Sequence, residues 1–373
     1  MQPYWNATLR FARAHWIVLT GAGVVLIAGI ITLVLFTDHR DVEVICSGPN
    51  CPGAEFSPTP TATPTATPRL VPSLLDGSMV TPGADALRPL SVMIENHPEA
   101  RPQSGLSSAG LVFEAIAEGG ITRFLAVYTD PRQAVKVGPV RSARVYYVQL
   151  ATELSAFYAH AGGNIHALDL IKRTDVYDID GLSFGPPTFV RDTSRGVASE
   201  HTLYSSTEKL WAYAIEQRKW PTNADFAPWL FTDDAGEGNR GVSQTVDVAF
   251  STAEYNVSWN YEPTSNSYVR SMAGKLHVDA NTNTPITAKN LVTQTVTRSV
   301  LDTKSGTTIW QFALTGSGKA NVYQNGRVIE ATWRKDGNGR TRYYDTASGK
   351  EIEFVRGVTW VMLTHPDTTI SVR

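Results

Sequence analysis

From Trp16 to Phe36 the chain carries no charged residue and is mostly apolar. At 1.5 Å per residue, a helix over this stretch would span a hydrocarbon core of roughly 30 Å. The run is long for a signal-peptide core, and Phe36-Thr-Asp-His-Arg40 after it offers no small-x-small cleavage site. The reading is an uncleaved signal anchor, with a cleaved signal as the alternative. Arg10 and Arg13 precede the run, whereas Asp38, Asp41 and Glu43 surround the single Arg40 behind it. The positive-inside rule then keeps residues 1–15 in the cytoplasm as a tail and puts everything after the 16–36 helix outside.

Residues 37–83 read as a stalk. Ser57 to Pro68 is SPTPTATPTATP, whose prolines fix φ and which has no apolar face to bury, so it stays extended and solvated. Cys46 and Cys51, separated by Ser-Gly-Pro-Asn, are expected to close a small disulfide loop in an oxidising compartment. Two cysteines are too few for a Cys-rich zinc site, and no metal or cofactor motif is found. A net charge of -2 with 42% hydrophobic and 18% charged residues excludes a polybasic nucleic-acid binder and a disordered chain. The expected contacts are the membrane, through one helix, and no nucleic acid.

The expected fold class is α+β. A mixed α/β outer domain over 84–230 precedes a mainly β domain over 242–373. In the first, Pro89–Ile94 predicts a strand. Gly110 to Tyr128 predicts two strands joined at Gly119-Gly120 as a two-residue hairpin. That pairing sets Ile116 opposite Arg123 and places Glu114, Glu118 and Arg123 on one face. This is either a salt-bridge ladder or the floor of a polar cleft. Pro139 predicts a helix start, with Arg141 and Arg144 three apart in its opening turns. Cations there oppose the helix dipole, which a bound anion would reverse. The alternative is pairing with Glu114, Glu118 or Glu153. Asn164 is expected to cap a helix from Ile165, behind a strand ending at His160. Phe189-Val-Arg-Asp192 and Ser199-Glu-His201 complete the polar inventory.

Past Val242, short strand-like runs alternate with turns, among them Thr245–Phe250, Val257–Tyr261, Leu291–Val300, Arg327–Trp333 and Val358–Thr364. Asn325-Gly326 is a strong hairpin turn. Gly316-Ser-Gly-Lys319 reads as a turn. Trp259, Trp310, Trp333 and Trp360 read as β-core residues or, less simply, a sugar-binding face.

Four strings in order carry a family resemblance: Arg101-Pro-Gln-Ser-Gly-Leu106, Glu118-Gly-Gly-Ile-Thr-Arg-Phe124, Val137-Gly-Pro-Val-Arg-Ser-Ala-Arg144 and His160-Ala-Gly-Gly163. They resemble the YerB-like bacterial lipoproteins from roughly Leu90 to the carboxyl terminus. The resemblance implies an α+β domain followed by a β-rich one, and no assigned activity. Cys46 follows Glu43-Val-Ile45, which is no lipobox, so here the helix stands in for a lipid anchor.

Three functions remain as expectations. The first is binding of an anionic envelope polymer, such as a phosphorylated or acidic glycan, through Arg123, Arg141, Arg144 and Arg191. The second is hydrolysis or transfer on such a substrate, with Glu118, His160, Asp192 and His201 as candidate acids and bases. The third is a structural or assembly scaffold. No Gly-x-Ser-x-Gly elbow or His-Glu-x-x-His helix supports a known hydrolase chemistry.

Overall fold

The structure, a computed structural model, describes residues 69–129, 133–184, 187–303 and 306–373. The expected anchor, the Thr/Pro-rich segment and the Cys46–Cys51 loop lie outside the described residues. Among the described residues no helix is long and apolar enough to cross a membrane.

The first segment supplies five strands to one large sheet: β1 (Leu90–Glu95), β2 (Leu111–Ile116), β3 (Thr122–Tyr128), β4 (Phe157–His160) and β5 (Tyr177–Asp180). The second begins with an antiparallel meander of β6 (Thr245–Ala249), β7 (Asn256–Glu262) and β8 (Ser267–Met272). It continues with β9 (Asn290–Thr295), β10 (Gly316–Gln324), β11 (Arg327–Lys335), β12 (Arg342–Asp345), β13 (Thr359–Thr364) and β14 (Thr369–Val372). Both segments enter one ten-stranded sheet of order β12-β11-β10-β9-β13-β2-β3-β1-β4-β5. The seam is parallel: β13 lies between β9 and β2, with Val361 opposite Val292 on one side and Phe113 on the other. A smaller, open six-stranded sheet runs through β8-β7-β6-β14, with the last strand at one edge and the short strands Lys275–Leu276 and Thr287–Ala288 paired to β8.

Each face of the large sheet has its own core. Val92, Ile94, Phe124 and Trp360 pack against Val248, Val257 and Trp259 of the small sheet. Phe113, Leu125 and Val361 on the other face pack against helix α1 (Val145–Glu153) and helix α2 (Ile165–Arg173) through Tyr147, Leu150, Ala167 and Ile171. Fully burying each such Leu or Phe contributes about 1.5–3 kcal/mol. Coverage on both sides explains why β2, Leu-Val-Phe-Glu-Ala-Ile, is buried at every position rather than alternating.

The β-rich pattern of the second segment is as expected, and Asn325-Gly326 does join Gln324 to Arg327 as a two-residue hairpin with both φ positive. Trp259, Trp333 and Trp360 are core residues.

Other expectations change. The β2–β3 connection is a 3-10 turn over Glu118–Gly120, closed by the Ala117 amide on the Ile121 carbonyl (2.7 Å). Gly119 and Gly120 both adopt positive φ, 66° and 75°, so the turn is longer than the two-residue type. The pairing slips by one: Ala115 faces Arg123 and Glu114 faces Phe124. Because side chains alternate, this slip moves Arg123 to the opposite face from Glu114. The first helix starts at Val145 with Arg144 as its N-cap, so Arg141 lies before it. The Arg141 amide instead bonds the Met93 carbonyl (2.9 Å), fixing that residue beside β1. Gly316–Lys319 is the start of β10, not a turn. The Leu291–Val300 run breaks in two: β9 ends at Thr295, and Arg298–Asp302 pairs with Ile309–Phe312 as a separate arm.

Candidate functional site

Where the β2–β3 turn, the start of α1, the start of α2 and the 298–312 arm meet, they enclose an open cleft of about 940 Å³. Its polar lining includes Glu118, Arg123, Arg144, Asn164, His166 and Asp302. The N-cap position of Arg144 comes from the register of the preceding strand-like segment. The Ala143 amide bonds the Gly162 carbonyl (2.9 Å), and the Ala161 amide bonds the Arg141 carbonyl (3.0 Å). This draws the α1 start against the Ala161-Gly-Gly-Asn164 turn. A Cβ on Gly163 would come within 3.3 Å of the Ala143 Cβ, so the close approach favours glycine there.

Glu118 is gripped by Arg144 through two parallel bonds, one of them 2.5 Å from Nε to Oε1. Arg123 stands behind, 8% exposed, with an Nη donating to the Ser142 carbonyl (3.0 Å) and its other Nη 3.9 Å from Glu118. Its Nε is buried and has no hydrogen-bond partner. Two guanidiniums thus share one carboxylate. Burial, then the neighbouring Arg144 charge, push Arg123 down to about 10. For Glu118, burial alone would raise the carboxyl, but the Arg144 bonds and charge, helped by Arg123, hold it below the usual value. Such a glutamate is a fixed anion rather than an acid with a proton to give. The α2 start adds amides at the same wall. Asn164 Oδ1 accepts from the Ala167 amide (2.8 Å), while its buried Nδ2 has no partner. His166 meets Asp302 across the cleft (3.0 Å).

The other expected site residues lie elsewhere. Arg141 does not join Arg123 and Arg144: its Nε donates to Glu95 (3.0 Å) and an Nη to the Glu200 carbonyl (3.3 Å). His160 is fully buried, with Nδ1 on the Gly162 carbonyl (2.8 Å) and Nε2 on Asp178 (2.6 Å), tying β4 to β5 and to the turn. Asp192 pairs with Lys136 (2.6 Å) and caps a 3-10 turn through the Ser194 amide (3.1 Å). Those bonds, Lys136 first, hold its carboxyl below the ordinary range. Arg191 is exposed and donates to the Ser199 carbonyl.

His201 belongs to a second polar cluster. Its Nδ1 is 2.8 Å from Glu95 Oε2, its Nε2 3.2 Å from Glu99 Oε2, and its ring stacks on His97 at 4.7 Å. Glu95, His97 and Glu99 are not among the candidate residues that the sequence offers. The available signal was three polar side chains at alternate positions, Glu95-Asn-His97-Pro-Glu99, where β1 ends.

A model for the N-terminal domain of a family described as a protein of unknown function, DUF3048, matches residues 75–221. The model for the C-terminal domain of the same family matches residues 246–361. The chain belongs to this family. It is 35% identical over 276 residues to the protein named "Putative lipoprotein YerB" of Bacillus subtilis (strain 168), covering 74% of this chain and 80% of that one. It is similar to the crystal structure of the Bacillus subtilis YerB protein with a TM-score of 0.71 and 31% identity. That match covers 81% of this chain and 99% of the solved one. The YerB-like resemblance in the four strings is therefore sound, and so is the α+β architecture. The cleft takes Glu118, Arg123 and Arg144 from the first matched domain and Asp302 and Ile309 from the second.

Proposed function

We propose that the protein is a membrane-held, extracytoplasmic binding protein whose cleft takes an acidic group of a cell-envelope polymer, a phosphate or carboxylate on a glycan. The observation that carries this is Arg123: a nearly buried guanidinium, with a partnerless Nε, that shares the Glu118 carboxylate with Arg144. A charge buried without full compensation is costly. An anion entering the cleft would supply what Glu118 alone does not. The partnerless Asn164 amide and the α2 amino terminus favour the same sign of ligand. Ile121, Ile165 and Ile309 give apolar surface for a sugar ring, and the cleft volume falls in the range of small-ligand sites. Outside placement rests on the charge asymmetry about 16–36 and on a relative named as a lipoprotein.

The test uses the full chain in detergent. Phosphate and glucuronate should raise the melting temperature in proportion to the logarithm of concentration, beyond chloride at equal ionic strength. Arg123→Met should abolish the response. A wild type indifferent to both anions, or a variant that responds as strongly, would sink the reading. For placement, protease added to intact cells should remove the mass beyond the stalk, and its protection would reverse the topology.

A further inference from the structure

We propose that His97, Glu99 and His201 form a binding site for a divalent transition-metal ion of the zinc class, with Glu95 as outer partner. One ligand atom from each of the three lies within 4.8 Å of the others. Ligand atoms about 2.0–2.2 Å from a zinc ion sit at most about 4.4 Å apart, so small side-chain shifts bring all three onto one centre.

The surroundings are built for this. Glu95 is 2% exposed and is held by Arg141 through Nε (3.0 Å). Its other oxygen meets His201 Nδ1 (2.8 Å). A carboxylate on Nδ1 fixes the ring and its tautomer, leaving the Nε2 lone pair for an ion, as carboxylates do behind metal-bound histidines. That Nε2 lies 3.2 Å from Glu99 Oε2. His97 lies flat against His201, with an interplanar angle of 9°. The Glu99 amide reaches His97 Nδ1 at a long 3.3 Å. Binding through Nε2 would protonate Nδ1 and exchange that contact for a metal bond. The loop bearing Glu99 is anchored from behind, since Arg195 donates to the carbonyls of Glu99 (2.9 Å), Ala100 (3.2 Å) and Arg101 (2.7 Å).

Two imidazoles and one carboxylate suit zinc, cobalt, nickel or copper better than magnesium or calcium, which prefer all-oxygen shells. The Glu99 side chain is 53% exposed, so the ion would keep at least one position toward solvent. His201 is buried at the inner end. Three protein ligands with an open position describe a centre that can hold water or an exogenous group.

The experiment titrates Co²⁺ into the untagged full chain in detergent and follows ligand-field absorption. One equivalent should saturate the signal, Zn²⁺ should displace it, and Mg²⁺ or Ca²⁺ should not. His97→Gln and Glu99→Gln should each weaken affinity at least tenfold, and Glu95→Gln on the order of ten- to a hundredfold. Metal-free melting of Glu99→Gln should match the wild type, because Arg195 anchors the loop through backbone carbonyls and the half-exposed Glu99 side chain pairs with His201 Nε2, which an amide can also meet. If His97→Gln fails to fold, Glu99→Gln decides alone. Absence of a Co²⁺ signal, displacement by Ca²⁺, or unchanged affinity in Glu99→Gln would overturn the proposal. None of these outcomes bears on the anion cleft, which uses different residues.

Discussion

The two faces of the β2–β3 hairpin treat an arginine–glutamate pair in opposite ways. On the small-sheet face, Glu114 accepts from Arg270 (2.9 Å), Trp360 Nε1 (2.9 Å) and Thr122 (3.1 Å), with neither member of the ion pair exposed. Arg270 lies over Trp360 and Trp259, 4.6 and 5.0 Å from their ring centres, and its Nε donates to His277 Nδ1 (3.0 Å). His277 in turn meets Gln103 (2.7 Å). One cation faces one anion, water is excluded, and the network locks the segments together. On the helix face, two cations face one anion beside an open cleft. This network leaves one Arg270 Nη without a hydrogen-bond partner, but it is closed to solvent and its charges are matched one to one, and such a network serves uniqueness of the fold. One left short of an anion, and open to solvent, is fitted to receive something.

The contrast can be broken at four points. Glu114→Ala would strand Arg270 in the core, and unfolding in urea should reveal a loss of about 3–5 kcal/mol. A loss below about 1 kcal/mol would mean the network is not the lock described.

Next is pH. Burial, then the charge of Arg270, push His277 well below its ordinary 6.5, and its Nδ1 must stay unprotonated to accept from Arg270. The unfolded chain therefore binds a proton below about 6.5 that the folded chain refuses. Stability should fall as pH drops below 6.5, by about 1.4 kcal/mol per unit from this group. The difference between wild type and His277→Gln isolates it, and parallel pH profiles would refute the assignment.

On the cleft face, Glu118→Gln should cost less than the Glu114 change, on the order of 1–3 kcal/mol, because the amide oxygen that replaces the carboxylate still accepts from Arg144. It should also tighten phosphate binding, and weaker binding in this variant would contradict a two-cation cleft. The smallest change is expected for Arg123→Met. Removing an incompletely matched buried charge should leave unfolding free energy within about 1 kcal/mol of the wild type, while the anion response disappears.

Much of this was legible in the chain. Period-two patterning and turn residues located the strands of the second segment, because each reflects local chemistry. Asn164 announced the α2 cap for the same reason. The hairpin register was not legible: Gly119-Gly120 fits a two-residue turn and a longer one equally, and one residue decides which face Arg123 joins. Nor was the fate of Arg141, since the helix start depends on Ala143 pairing with the Gly162 turn rather than on Pro139. The His97–Glu99–His201 cluster joins a loop to a turn about a hundred positions away, a separation that no local pattern records. The same is true of the shared sheet, whose seam pairs Phe113 with Val361.

That seam has a consequence for how the chain is made. The strand at the middle of the large sheet, β13, is synthesised after the nine other strands of that sheet. Until it arrives, β2 and β9 each present an unfilled edge of the kind that pairs with other chains. The sheet must therefore be born with a slot in its centre that its last-made strand fills, and a stop codon shortly before Thr359 would leave two half-sheets.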